Sequence, residues 1–174
     1  IKAKVPDAYT VFIGPCIAKK SEVKDQQIEG NADAVLTFSE IRAIMKAKGV
    51  VLTAEENSYQ EASVFGKRYG NSGGVTNAVL EYLKETDNEI DAKVYRANGA
   101  ADCKKALLLM KVGRLPEDFI EGMACEGGCV GGPSAFQGEI ASKKNRDSLI
   151  SCADCRTIVE NLSKIDMGAF EHHR

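Results

Sequence analysis

Six cysteines carry the most distinctive chemistry in this chain, and two of them stand in a glycine-rich stretch. The sequence EGMACEGGCVGG covers residues 121–132 and places Cys125 and Cys129 four positions apart, with two glycines between them. Such glycines allow backbone amides to approach the sulfurs and donate hydrogen bonds, which tune iron–sulfur sites. The stretch therefore indicates metal binding or thiol redox chemistry.

The bulk composition excludes several classes of protein. With 174 residues, the chain buries roughly 70% of its unfolded surface without cross-links, whereas disulfide scaffolds are usually short and secreted. No charged and apolar leader opens the chain, so we expect a reducing, cytoplasmic location. A net charge of −2 does not favour nucleic acid. Apolar stretches fall far short of the roughly 20 residues that a membrane span needs.

Alternating strand and helix patterns predict an α/β fold. Short apolar runs predict strands at 9–13, 32–38, 92–97 and 118–123. Helical spacing predicts a helix after Thr37 and Glu40, which have capping-box spacing, and others near 74–84, 100–112 and 153–165. Residues 52–69 are predicted to form a loop. We expect one domain over 1–174, with a mostly parallel sheet of about four strands and helices on both faces.

This fold predicts that three distant cysteines converge. Cys16 and Cys125 each follow a predicted strand, and the carboxyl ends of parallel strands meet at one edge of a sheet. We therefore expect Cys16, Cys125 and Cys129 at that edge. Zinc prefers four ligands and commonly Cys-x2-Cys pairs, and a [4Fe–4S] cubane also needs four thiolates. A cluster completed from outside the chain, a zinc site and thiol redox or unreactive cysteines all stay open.

The remaining cysteines and the two histidines have weaker signals. Cys103 falls on the apolar stripe of the predicted helix 100–112, so we expect it to be a small core residue. Cys152 and Cys155 are predicted to open the last helix, where a second redox or metal site and simple packing are equally consistent. Both histidines lie in the last four residues, and we assign them no catalytic role.

Three motifs in order resemble the iron-only ([FeFe]) hydrogenase family. GPCIAKKSE at 14–22 resembles the family's Met-Pro-Cys-x-x-Lys-x-x-Glu motif. FIEGMACEGGCVGG at 119–132 resembles its Glu-x-Met-Ala-Cys-x-x-Gly-Cys motif, and YGNSGGV at 69–75 is similar to its Phe-Gly-x-Ser/Thr-Gly-Gly-Val loop. AVLTFSEIRAIMKAKGV at 34–50 is similar to the strand and helix between them. The order of these motifs and the spacing between them agree with the family pattern over residues 8–132.

The resemblance implies a specific cofactor, the H-cluster, in which a [4Fe–4S] cubane shares one cysteine sulfur with a di-iron unit that carries CO, cyanide and a dithiolate. Cys16, Cys125 and Cys129 would be cubane ligands, with Cys129 providing the shared sulfur. Lys19 would donate a charge-assisted hydrogen bond to a cyanide, and Glu22 would fix that region.

Other positions would line the cofactor, and some depart from the family pattern. Met123 would pack beside the di-iron unit, while Ser72 and Gly73 would either face the cluster or form a plain helix start with Ser72 as the cap. Gly14 replaces a Met and is expected to open space beside the di-iron unit. Tyr69 replaces a Phe. Glu126 stands where Pro is usual, which also separates this sequence from the family pattern.

The resemblance also implies a function and partners. The family interconverts hydrogen with protons and electrons, and this chain would be the C-terminal lobe of the catalytic domain. A preceding lobe of the same polypeptide would supply the fourth cubane cysteine and the proton-shuttling cysteine, so this fragment alone is expected to lack a complete cluster and activity. Ferredoxin or another redox carrier would exchange electrons. A hydrogen or redox sensor, or an iron–sulfur assembly protein, on the same scaffold is the alternative.

Overall fold

The fold is given by a computed structural model, which describes residues 1–2, 4–28, 30–51, 53, 62–151, 153 and 155–166. Within those ranges the strands form two two-stranded parallel sheets. β1 (Val11–Ile13) pairs with β2 (Ala34–Leu36), and β3 (Val94–Asn98) pairs with β4 (Phe119–Met123). The α/β prediction is therefore confirmed, although the described strands form two separate pairs rather than one sheet. Apolar runs reveal strands but do not encode which edges pair, so the sequence could not separate these arrangements.

The helices lie between and after these strands. In chain order they are α1 (Ala18–Glu22), α2 (Phe38–Ala47), α3 (Val64–Arg68), α4 (Gly74–Glu85), α5 (Ala100–Lys111), α6 (Glu139–Ser151) and α7 (Ile158–Leu162). A short 3-10 turn covers Cys129–Gly131. Among the helices in the described ranges, none combines the length and apolar character that crossing a membrane requires.

The predicted capping box begins α2. The Thr37 hydroxyl accepts a hydrogen bond from the Glu40 amide, and the Glu40 carboxylate accepts one from the Thr37 amide at 2.7 Å. Lys20 reaches the same carboxylate from α1 at 2.8 Å and also donates to the Val35 carbonyl at 3.1 Å. These contacts join α1, β2 and α2 directly behind the segment that carries Cys16.

Two predictions of local structure were wrong. Residues 64–68 of the predicted loop form α3, which Ser63 caps by accepting from the Gly66 amide at 3.2 Å, while residues 52 and 54–61 lie outside the described part. The predicted helix 153–165 is α7 alone, which begins at a second capping box between Thr157 and Glu160. Helix α6 was missed because its largely polar sequence lacks an apolar stripe.

Of the cysteines outside the predicted metal site, the structure describes Cys103 and Cys155. Cys155 is exposed in the bend that precedes α7, so it neither opens that helix nor packs on its buried side. Cys152 and both histidines lie outside the described residues. Cys103 is half-buried on α5, and its sulfur lies 3.5 Å from where a Cβ on Gly122 would sit. That contact joins α5 to β4 and agrees with the expected packing role.

The best-buried apolar residues of the described part are small. Ala97 on β3 and Ala106 on α5 are fully buried, which allows that helix to lie close to the β3–β4 pair. The residues of β1 are all exposed, although parallel strands are normally covered on both faces. The β3–β4 unit, with α4 and α5, is therefore the firmer support for the cysteine loop that follows β4.

Candidate metal centre

The loop after β4 carries two of the three candidate ligands. Strand β4 ends at Met123, and the Gly128 amide then donates to the Cys125 carbonyl at 3.0 Å, which closes a tight turn. Gly127 and Gly128 have φ values of 78° and 88°, in the left-handed region where glycine is favoured. The turn delivers Cys129 to the start of the Cys129–Gly131 turn.

This loop is held against the loop of residues 69–74. Gly128 forms an antiparallel bridge with Asn71, and the Cys129 amide donates to the Gly70 carbonyl at 2.7 Å. A Cβ on Gly128 would lie 2.5 Å from the Gly70 oxygen, so no side chain fits there. The glycine between the cysteines thus permits the close approach of two loops, which fixes where Cys129 emerges.

The segment that carries Cys16 reaches the same place from β1. The Ser134 amide donates to the Pro15 carbonyl at 3.1 Å. A Cβ on Gly132 would lie 2.8 Å from that carbonyl oxygen, so the two backbones are in direct contact. The residue before Cys16 therefore lies against the chain that follows Cys129, more than a hundred positions away in the sequence.

The Cys125 thiol lies close enough to Cys16 and Cys129 for their charges to act on it. Burial raises the pKa of the Cys125 thiol, and the charges of Cys16 and Cys129 raise the same pKa further. All three are free cysteines, with Cys16 and Cys125 half-buried and Cys129 exposed. The predicted convergence agrees with this coupling, whereas the role of the three sulfurs as ligands stays a prediction.

The three candidate ligands are all thiols. Among the described residues, no three His, Cys, Asp or Glu side chains lie close enough together to hold one metal ion. Sulfurs around one tetrahedral zinc would lie about 3.8 Å apart, given Zn–S bonds of about 2.3 Å. The thiolates of a cubane bind different irons and so lie farther apart. Both kinds of site need a fourth ligand besides the three thiols, and the metal centre stays a prediction.

Lys19 and Glu22 form an ion pair at the end of the Cys16 segment. The Lys19 ammonium lies 2.5 Å from a Glu22 carboxylate oxygen, one turn along α1, and the lysine side chain is 39% exposed. Lys20 is bound instead to Glu40 and the Val35 carbonyl. Of the two adjacent lysines, Lys20 therefore contacts β2 and α2, whereas Lys19 pairs within α1, and its role toward a cofactor stays a prediction.

Gly14 lies beside an aromatic ring. The residue is buried, and a Cβ there would lie 2.8 Å from a ring carbon of Phe12, two positions earlier on the same face of the strand. The aromatic ring thus takes up part of the volume that a side chain at position 14 would use. The expectation that Gly14 opens space beside a di-iron unit stays a prediction.

The candidate residues in the loop of residues 69–74 differ in exposure and in backbone contacts. Tyr69 is 52% exposed directly after α3. The Ser72 amide donates to the Gly127 carbonyl at 3.2 Å, but the N-cap of α4 is Gly73, with φ 83°, and not Ser72. The alternative that Ser72 caps this helix is therefore wrong. Met123 is half-buried, and its carbonyl accepts from the Gly99 amide at 2.7 Å.

Glu121 is a residue of this site that motif matching left without a role. It lies in the middle of β4 and is only 6% exposed. Its carboxylate accepts hydrogen bonds from the Gly73 amide at 2.9 Å, the Thr76 amide at 3.2 Å and the buried Thr76 hydroxyl. An anion at the amino end of α4 also interacts favourably with the helix dipole. The carboxylate thus joins β4 to the loop that holds Gly128.

Glu126 lies on the outer side of the cysteine loop. A Cβ on Gly99 would be 3.1 Å from the Glu126 Cγ, so this side chain lies at the amino end of α5. Next to it, the Gly127 amide donates to the Asn98 side chain at 2.8 Å. The end of β3 therefore supports the loop from the side opposite residues 70–72.

Most of this chain is similar to known proteins of one family. Residues 1–133 match the family described as the C-terminal domain of the iron-only hydrogenase large subunit. The chain is 31% identical over 159 residues to the periplasmic [Fe] hydrogenase large subunit of Nitratidesulfovibrio vulgaris, covering 71% of this chain and 38% of that protein. It is 32% identical over 164 residues to iron hydrogenase 1 of Clostridium pasteurianum, covering 72% of this chain and 28% of that protein.

The matched region contains every residue described above in the cysteine loop, the Cys16 segment and the loop of residues 69–74. The chain spans less than two fifths of the length of either relative. Because the match covers most of the chain and all of these loops, the chain belongs to the family of C-terminal domains of iron-only hydrogenase large subunits.

Proposed function

We propose that this chain contributes three of the four cubane thiolates of an H-cluster, and that the natural protein containing it interconverts hydrogen with protons and electrons. The observation that carries the proposal is the direct backbone contact between the Pro15–Cys16 segment and the chain that follows Cys129, most of it within the region that matches the family. Three free thiols around one glycine-locked loop provide the soft ligands that iron–sulfur clusters require.

The chain's own residues would hold and orient the cofactor. When bound, the H-cluster supplies the hydrogen chemistry, and the protein supplies ligands, hydrogen bonds and a closed environment. Cys129 would provide the sulfur shared between cubane and di-iron unit. Lys19 would donate to a cyanide while Glu22, 2.5 Å from its ammonium, orients it. Met123 would cover one side of the di-iron unit.

The position of Phe12 beside Gly14 favours a hydrogen sensor as the second candidate. In the family pattern a methionine side chain stands at position 14, and here a rigid ring takes part of that volume. A ring is less flexible than a methionine side chain, so the surroundings of the di-iron unit would change. A sensor needs the intact cofactor but not rapid turnover. A changed environment at position 14 is compatible with an intact cofactor and with slow turnover.

The proposed partners follow from the incomplete ligand set. The fourth cubane thiolate would come from the preceding half of the same polypeptide, and a ferredoxin or other redox carrier would exchange electrons. A cytoplasmic location remains part of the proposal, supported by the five free thiols among the described cysteines. One relative is named periplasmic.

Hydrogen evolution from a reduced dye tests the proposed activity. The natural chain containing these residues would be matured with its di-iron unit, and compared with Cys129→Ser and with the matched control Cys103→Ser. We expect evolution by the wild type and the Cys103 variant and loss of it in the Cys129 variant. An intact cofactor with negligible evolution would favour the sensor. Absence of any di-iron signal after maturation would contradict both candidates.

A further inference from the structure

Helix α6 lies outside the part of the chain that matches the family, yet it contacts the candidate site. The match ends at residue 133, and α6 covers Glu139–Ser151. The helix contacts the Cys129–Gly131 turn on one side and α3 on another. It therefore covers the turn that carries a candidate ligand, although its largely polar sequence gave no sign of such a role.

One side chain of α6 makes a specific connection to this region. The Arg146 side chain is 16% exposed, and one of its guanidinium nitrogens donates to the Asn71 side-chain oxygen. The other terminal nitrogen donates to the Asp147 carboxylate at 2.8 Å. The planar guanidinium holds both acceptors at once, and its position is therefore well defined.

Asn71 contacts both Arg146 and the cysteine loop. Its backbone forms the antiparallel bridge with Gly128, and the neighbouring Gly70 carbonyl accepts from the Cys129 amide at 2.7 Å. We propose that Arg146 is a positioning residue for Cys129, acting through Asn71 and the bridge to Gly128. The segment after residue 133 would thus be part of the ligand-positioning machinery. The proposal rests on the proposed function only where it concerns a bound cluster.

Amide hydrogen exchange in the natural chain, before any cluster is added, tests the positioning role directly. In Arg146→Gln we expect exchange in the peptide 125–132 to be roughly tenfold faster, because a hydrogen bond from a charged donor is lost. Exchange in the peptide 94–98 of β3 should not change. Arg146→Lys should give an intermediate rate, since an ammonium can donate to Asn71 without forming the planar fork.

The matched control is Lys144→Gln, which removes a positive charge from an exposed position on the same helix. It should leave both peptides unchanged. A rate in 125–132 within twofold of wild type for Arg146→Gln would overturn the proposal. Equal acceleration in both peptides would overturn it as well, because Arg146 would then stabilise the fold in general.

A double-mutant cycle with Asn71→Ala tests the path of the effect. If Arg146 acts through Asn71, the double variant should exchange at the rate of the faster single variant, whereas multiplied effects would refute that path. After reconstitution with iron and sulfide, Arg146→Gln should also broaden the electron paramagnetic resonance signal of the reduced cubane. If wild-type protein binds no cluster but the exchange results hold, the proposed function fails while the positioning role stands.

Discussion

The buried carboxylate of Glu121 provides the sharpest test of how this fold supports its cysteine loop. The substitution Glu121→Gln keeps the shape and removes one acceptor oxygen and the charge. A glutamine oxygen can retain both bonds from Thr76, but its NH2 group then faces the Gly73 amide, which has lost its acceptor. Two opposed donors are left in a position that is only 6% exposed.

The expected cost follows from these contacts. A hydrogen bond to a charged group contributes about 1.5–3 kcal/mol, and a buried unsatisfied donor costs about 1–3 kcal/mol. Loss of the anion at the amino end of α4 adds roughly 0.3–1 kcal/mol. Because these contributions overlap, we expect the local opening free energy to fall by about 3 kcal/mol, which corresponds to roughly hundredfold faster exchange.

Native-state amide exchange of the peptide 70–76 measures this change. Glu81→Gln is the matched control, since Glu81 lies on the surface of the same helix and pairs with Lys84 at 3.8 Å. That exposed pair should contribute about 0.5 kcal/mol, or about twofold in exchange. If Glu121→Gln accelerated exchange no more than Glu81→Gln, the carboxylate would not hold this loop and the reasoning would be refuted.

Two further predictions concern backbone space and pH. Gly128→Ala should prevent docking of the cysteine loop and abolish iron binding, because its Cβ would lie 2.5 Å from the Gly70 oxygen. The control Gly113→Ala has a φ of 65° and open space, so it should cost only about 1–2 kcal/mol and keep the iron; equal iron contents would contradict the account. The pKa of Glu40 is lowered from 4.5 to about 2, by hydrogen bonds from Lys20 and Thr37. Its stabilisation is complete above pH 4.5 and lost as pH falls toward 2, so the thermal midpoints of wild type and Glu40→Gln should converge over that window; a constant difference would refute the assignment.

Local signals in the sequence predicted the features that depend on neighbouring residues. The Thr37–Glu40 capping box could be recognised because its two residues lie three positions apart, and the four described strands because each lies in a continuous apolar run. The Thr157–Glu160 box carried the same signal, but it was absorbed into one longer predicted helix. The spacing of capping residues therefore reveals that a helix can begin there, but it does not show whether the preceding residues belong to the same helix.

Contacts between distant residues were not predictable in the same way. Glu121 bonds Thr76 across 45 positions, and Arg146 bonds Asn71 across 75. A carboxylate within the run FIEGM does signal a buried polar partner, because burying a charge without one is costly. The identity of that partner depends on tertiary packing. Phe12 filling space beside Gly14 likewise depends on a side-chain conformation that motif comparison does not contain.

Mössbauer spectroscopy of the natural chain, loaded anaerobically with 57Fe and sulfide, tests the central claim most directly. The account predicts a cubane spectrum in the wild type and in Cys103→Ser. It predicts loss or conversion of that spectrum in the serine variants of Cys16, Cys125 and Cys129. An unchanged cubane in any of those three variants would show that the corresponding thiol does not bind iron, and would contradict the account.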